Sequence, residues 1–259
     1  MANYYFLSSL LPELKIGEPS PLSFHDLDEL FEANLLHVDY EKTVIVRRMI
    51  DIENIRRLWQ GNPVDHRGNL TDKDIEEALL IQDGLPEYVF NYIEEYSSDE
   101  DRLQYFSSLT SNFFVNEIRR NEGFLRDYLS FERDWRLVML GFRVKRLGRD
   151  VSHELQFEDS DDMIVAQMLA QKDSKKYEPP DGYEDLKPIF KENVGDPLKL
   201  YKALCEYRFK RVEKLLVGEL FSIERILGFL VQLIIVEKWN ELDHQEGKVI
   251  VNKVVKALS

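Results

Sequence analysis

Apolar residues recur at three- and four-residue intervals through most of this chain, and strict alternation is rare. That spacing puts them on one face of a helix with about 3.6 residues per turn. A short helix is expected over Tyr4–Leu11, stopped before Pro12, and Gly17, Pro19 and Pro21 then mark a loop. Leu27, Leu30, Phe31 and Leu35 follow behind Ser23, an N-cap residue with Asp26 where a capping box carries its acid. Val44, Ile45, Ile52, Ile55 and Trp59 continue the helical period between Asp39 and Gln60, and Gly61-Asn62-Pro63 ends it. Thr71, ahead of Asp72 and Asp74, caps a helix through Ile81, Gly84-Leu85-Pro86 breaks it, and Glu87–Tyr96 starts another.

The second half reads the same way. An acidic connection, Ser97–Asp101, leads to the aromatic stretches Leu103–Leu109 and Phe113–Ile118, which run on to Phe124, Leu125 and Leu129. A long helix over Phe131–Leu147 is closed by Gly148, with Arg143, Lys145 and Arg146 at its carboxyl end, where the helix dipole favours cations. Asp173–Pro188, with Lys175-Lys176, Pro179-Pro180 and Gly182, is the clearest linker candidate. Gly195-Asp196-Pro197 turns into a final helix pair, Leu198–Leu216 and Ile223–Leu242, the latter capped by Ser222. The tail, Lys248–Leu258, carries Val249, Val251, Val254 and Val255 and suits either a strand or a short terminal helix. With strand-like runs so scarce, the expected class is all-α.

Within Ile226–Val236 the helix is apolar on every side apart from Gln232. Its eleven residues, at about 1.5 Å each, span only about half of a ~30 Å hydrocarbon core, so this is expected to be the buried centre of a bundle, with Phe221, Ile223, Ile226 and Phe229 in the core.

A short pattern occurs three times on these long helices: an acid, two residues, then Asn or Trp. The copies begin at Asp51 (to Asn54), Glu132 (to Trp135) and Glu237 (to Asn240), with starts 81 and 105 residues apart. Spaced self-similarity suggests one helical unit used three times, over approximate modules 1–84, 85–172 and 173–259 of a single domain. Glu53 with Arg57, and Glu132 with Arg136, are spaced for helix ion pairs.

Charge and chemistry narrow the function. The chain holds 48 acids against 34 bases, a net charge of -14, which repels phosphates at long range and argues against nucleic-acid binding. The single cysteine, Cys205, excludes an intramolecular disulfide and fits a reducing compartment. The first residues, Met1–Phe6, lack a signal-peptide layout, so a cytoplasmic location is expected. No phosphate-binding Gly-x-x-x-x-Gly-Lys loop occurs, nor His-Glu-x-x-His, nor Gly-x-Ser-x-Gly, and His25, His37, His66, His153 and His244 stand singly. Glu158–Asp162 resembles a calcium loop only in composition and reads as a solvated charge cluster heading the next helix. No cofactor, metal or catalytic residue is expected. The aromatics are read mainly as packing, with Tyr4 and Tyr5 as possible partner contacts.

The stretch Glu219–Leu230, running into Glu237-Lys238-Trp239-Asn240-Glu241-Leu242, is similar to the closing helix of the C-type subunit of V/A-type rotary ATPases, whose eukaryotic form is the d-type subunit. The middle copy, from Phe131-Glu132 to Arg146-Leu147-Gly148, and the first, Asp51–Leu58, resemble that family's internal repeats, and Tyr4–Leu11 resembles the opening of short bacterial relatives found among V-type ATPase components. Two departures stand out: the chain is shorter than a usual C-type subunit, and Trp135 stands where Asn is expected. The resemblance implies a helical funnel of three parts with no active site. It implies a rotor subunit whose partners are the proteolipid ring and central shaft, reaching the membrane only through the complex. The six motif residues would then be structural. An α-helical scaffold unrelated to the ATPase, or an enzyme using a carboxylate cluster, are the other readings the residues leave open.

Overall fold

The computed structural model describes residues 4–174 and 176–258, with side chains given through residue 242. Met1–Asn3 and Lys175, used in the sequence reading, lie outside the described residues, as does the side chain of His244. All regular structure is helical, and no strand occurs among the described residues. In order these helices are α1 (Tyr5–Leu10), α2 (Phe24–Asn34), α3 (His37–Trp59), α4 (Asp72–Ile81), α5 (Glu87–Glu95), α6 (Asp99–Gln104) and α7 (Phe106–Arg120). They continue with α8 (Gly123–Leu147), α9 (Val151–Glu154), α10 (Met163–Leu169), α11 (Leu186–Asn193), α12 (Pro197–Leu215) and α13 (Ile223–Leu258).

Helix starts follow the expected cap chemistry. Ser23 accepts the Asp26 N–H while the Asp26 carboxylate accepts the Ser23 N–H, and Thr71 and Asp74 repeat the arrangement at α4. Each box satisfies two amides that the helix itself cannot pair. Asp196 caps α12, with Pro197 at the first helical position. Gly148 ends α8 in the left-handed region at φ 65°, its N–H returning to the Val144 and Lys145 carbonyls.

The chain divides into two compact units, one made of Met1–Thr43 and Lys191–Ser259, the other of Val44–Phe190. In the first, α12 and α13 pack together. Ile226, Phe229, Leu233 and Ile235 are at most 1 % exposed, and Ile223 is also buried. Gly228 permits a close approach: a Cβ there would lie 2.3 Å from Leu216 Cδ1. The expectation fails for Phe221, which is 41 % exposed. It precedes the first turn of α13 and leans its ring on that of Tyr5, with centroids 4.7 Å apart, so the periodicity that buries α13 does not reach it. The tail is neither a strand nor a separate short helix: α13 continues unbroken to Leu258.

In the second unit α7 packs on α8 and α5 on α7. Ile52, Ile55, Ile75, Val89, Leu109, Phe113 and Val138 have no exposed surface. Phe124, Leu125 and Leu129 belong to α8 itself, which begins a full eight residues before Phe131. The acidic connection is in part a helix, since Asp99, Glu100 and Asp101 form the first turn of α6, where acids complement the dipole. The linker candidate is a packed strap, with Tyr177, Tyr183 and Leu186 buried. The Tyr177 ring meets Phe142 edge-on at 4.8 Å and covers Gly141, where a Cβ would lie 2.3 Å from Tyr177 Cζ. Pro179, Pro180 and Gly182 keep helix out of the stretch ahead of α11 without forbidding contact.

Candidate functional site

The first motif builds the densest polar site in the Val44–Phe190 unit. Asp51 and Asn54, three residues apart, lie on the face of α3 that also carries Arg47, four residues before Asp51. Asn54 Oδ1 accepts the Asp65 N–H at 2.7 Å and its Nδ2 donates to the Asp65 carbonyl at 2.9 Å. Asp51 Oδ1 accepts the N–H groups of Asn69 and Leu70 at 2.6 and 3.1 Å, and Oδ2 accepts from Asn69 Nδ2 at 2.6 Å. Arg47 donates to the carbonyls of Arg67 and Gly68 at 3.1 and 2.6 Å. Arg67 closes the loop on itself through two bonds to the Asp65 carboxylate, at 2.7 and 3.0 Å. Gly68 is required, because a Cβ would stand 2.5 Å from Asp51 Oδ1. Burial pushes the Asp51 carboxyl above its ordinary value, against the pull of its hydrogen bonds and Arg47. The arrangement latches a loop to a helix.

The second motif is different. Glu132 is 3 % exposed and pairs with Arg136 at 3.3 Å, whose guanidinium also lies 5.7 Å from the ring centres of Phe114 and Trp135. The other expected helix pair does not form: Arg57 donates to the Pro63 carbonyl at 3.1 Å instead of meeting Glu53. In the third motif, in the other unit, Asn240 Nδ2 donates to the Glu18 carbonyl at 3.1 Å, and Glu237 is half-buried. Its neighbour Trp239 lies against Gly17, with Lys202 Nζ 4.7 Å from the ring centre. Asn54 and Asn240 thus both hold a loop carbonyl, Trp135 does not, and the six residues occupy three different settings.

A second charged cluster escaped the sequence reading. Arg133 on α8 gathers Asp162 at 2.6 Å, Asp134 at 3.5 Å and Glu158 at 3.9 Å, and the Tyr183 hydroxyl donates to Asp134 at 3.0 Å. Glu158 and Asp162 are therefore not simply solvated, although Asp162 does head α10 by accepting the Ile164 and Val165 N–H groups. Burial raises the carboxyls of Asp134 and Glu158 despite Arg133. Burial would raise Asp162 too, but its hydrogen bond to Arg133 and that cation's charge bring it below the ordinary range. One base and three acids spread over residues 133–162 have no local signature, which is why spacing alone does not reveal the cluster.

In the first unit the two expected partner contacts separate. Tyr4 is buried, donates its hydroxyl to Asp39 at 2.5 Å and accepts the Leu36 N–H, and burial pushes its phenol up to about 12. Tyr4 is therefore internal. Tyr5, at 59 % exposed, is the open one, and Phe6, Leu36, Val38 and Leu220 are exposed as well. The Tyr4 N–H binds the Phe221 carbonyl at 2.7 Å, so α1 and the turn before α13 share this apolar face.

Cys205 is buried. Among the described residues no group of three or more His, Cys, Asp and Glu side chains could hold a metal ion, and no helix is long and apolar enough to cross a membrane.

A protein family described as "Protein of unknown function (DUF2764)" matches residues 1–259. Relatives described as uncharacterized proteins occur in Chlamydia muridarum and Chlamydia trachomatis, each 30% identical over 264 residues, and in Chlamydia pneumoniae, 32% identical over 265 residues. Each alignment covers 100% of this chain and 99% of the relative. No solved structure matches the chain.

Proposed function

This chain belongs to the DUF2764 family, and we propose that it is a non-catalytic rotor subunit of a V-type ATPase, coupling the proteolipid ring to the central shaft. The observation that carries the reading is the resemblance of Phe221–Leu242 to the closing helix of the C-type rotor subunit. Three features support it. Each motif copy lies on a long helix, α3, α8 or α13. The motif side chains serve internal contacts, as coupling by shape and stiffness requires. At 36 residues, α13 is a rod of about 54 Å at ~1.5 Å per residue. The apolar face around Tyr5, Phe6 and Leu220 is a natural seat for a rotor partner, since exposed apolar clusters mark interaction surfaces. Coupling elements need broad interfaces, of about 1,200–2,000 Å² or more, so single charge changes should matter little there.

The test is co-purification of a tagged chain from gently solubilised native membranes at low and high salt. The chain should travel with ATPase subunits at low salt, and less of it at high salt, because a charge of -14 adds a screened attraction to basic loops. An intact ATPase that holds another protein in the C-type position and never retains this chain would overturn the reading in favour of a scaffold without an ATPase link.

A further inference from the structure

One cleft in the Val44–Phe190 unit has the opposite charge to the chain as a whole. It encloses about 460 Å³ between α3, α7 and α8. A second cavity, of about 410 Å³, shares Glu53 and Arg56 with it and adds Arg57. Five arginines line the two cavities, against three glutamates. Some of these charges answer one another. Arg149 pairs with Glu154 at 3.3 Å, Arg136 with the buried Glu132 at 3.3 Å, and Glu158 faces Arg133 at 3.9 Å. Arg56, Arg57 and Arg143 form no ion pair among the described residues, and Glu53 is the lining carboxylate left to answer them. The acids gathered on Arg133 lie at the far end, since Arg133 and Arg143 are ten residues, or about 15 Å, apart on α8. That exceeds the ~8 Å over which salt screens exposed charges, so the unanswered arginines set the local sign. Burial pushes the Arg143 guanidinium down from its ordinary value, against the pull of Glu154. A cation that has given up water without gaining a close anion is destabilised until an anion arrives.

We propose that this cleft binds a small phosphate monoester with an apolar body about the size of one ring. Three unanswered cations against one acid leave an excess of two charges, which a phosphate dianion matches and a single carboxylate only half fills. Arg143 spends its Nε–H on the Met139 carbonyl at 3.3 Å, and its two terminal NH₂ groups remain as the fork that takes two phosphate oxygens. Arg56 lies 5.2 Å from the ring centre of Phe106, which holds its guanidinium at the cleft. Leu137, Leu140 and Phe106 supply the apolar wall for the body of the ligand, and the volume lies in the ordinary range for small-molecule sites. Glu53 opposes the anion and sets a limit on its affinity. The site does not depend on the rotor assignment, and failure of co-purification would leave it untouched.

The experiment titrates the full-length protein with phenyl phosphate, inorganic phosphate and benzyl alcohol by isothermal titration calorimetry. Phenyl phosphate should saturate with a dissociation constant of about 0.1–1 mM, the range open to a ligand of so few atoms. Inorganic phosphate, which lacks the body, and benzyl alcohol, which lacks the charge, should each bind about tenfold more weakly or worse. Arg56→Gln and Arg143→Gln should each weaken phenyl phosphate about tenfold while keeping the melting temperature, since neither removes an ion pair. Arg126→Gln removes the same charge from an exposed pair with Asp127, outside the cleft, and should leave binding unchanged. Glu53→Gln reads the sign of the site without touching an arginine and should tighten binding about threefold. No saturable binding, equal affinity for the three compounds, or binding that survives Arg56→Gln or Arg143→Gln would overturn the proposal. So would a loss with Arg126→Gln as large as with Arg143→Gln, or weaker binding with Glu53→Gln.

Discussion

Asn54 shows how much one side chain can decide. Its carboxamide matches both main-chain polar groups of Asp65, at 2.7 and 2.9 Å, in a fully buried place. Asn54→Leu should cost about 1–3 kcal/mol for each group orphaned, read as a shift of the urea midpoint. Gly68→Ala should also destabilise, by about 1–3 kcal/mol, because the added methyl drives into Asp51 Oδ1. Asp134 adds a pH dependence. Its folded-state carboxyl titrates above the ordinary 3.8, so the folded protein binds the proton more readily than the unfolded chain. Stability from this group is present below 3.8 and is lost as pH rises through the folded value. Asp162 has the opposite sign and loses its contribution as pH falls below 3.8. Asp134→Asn should flatten the melting-temperature profile above pH 3.8 and leave the acid limb governed by Asp162. An unchanged profile above that pH would refute the assignment.

At the scale of elements, most of the fold was legible. Helical periods and caps locate α2, α4 and the carboxyl end of α8 because those signals are local, and Ser23→Ala should cost about 1 kcal/mol by removing one such cap. What was illegible depends on contacts distant in sequence. Nothing near Tyr177 announces that its ring will lie on Gly141, so the strap read as a linker. Gly141→Ala should loosen it, seen as faster protease cleavage between 170 and 185 than in the parent. Phe221 was misread because its burial was inferred from α13, of which it is not part. Phe221→Ala should therefore cost much less than Phe229→Ala, for which about 3–5 kcal/mol is expected from a fully buried ring. Equal losses in thermal melts would contradict the packing. The site was legible in part. Asp51 and Asn54 stood out as a pair, but their partners in the loop before Thr71 did not, because main-chain groups leave no trace in residue identity.

At the scale of the whole molecule, one unit draws on both ends of the chain and the other on a continuous stretch. Tyr4 bonds to Phe221, Gly17 abuts Trp239, and Asn240 donates to Glu18. Removing residues before Phe24 should therefore raise hydrogen exchange in α12 and α13 while leaving α7 and α8 protected, and uniform exchange through all four would count against this division. This arrangement also sets an order in time. A ribosome adding about 5–20 residues per second synthesises all of Val44–Phe190 before Lys191 is made. The segment up to Thr43 must wait some 148 residues (from 43 to 191), roughly 7–30 s at that pace, for its other half. During synthesis the segment up to Thr43, made ahead of Val44–Phe190, thus settles after it, and its apolar side chains remain open to chaperones throughout that interval.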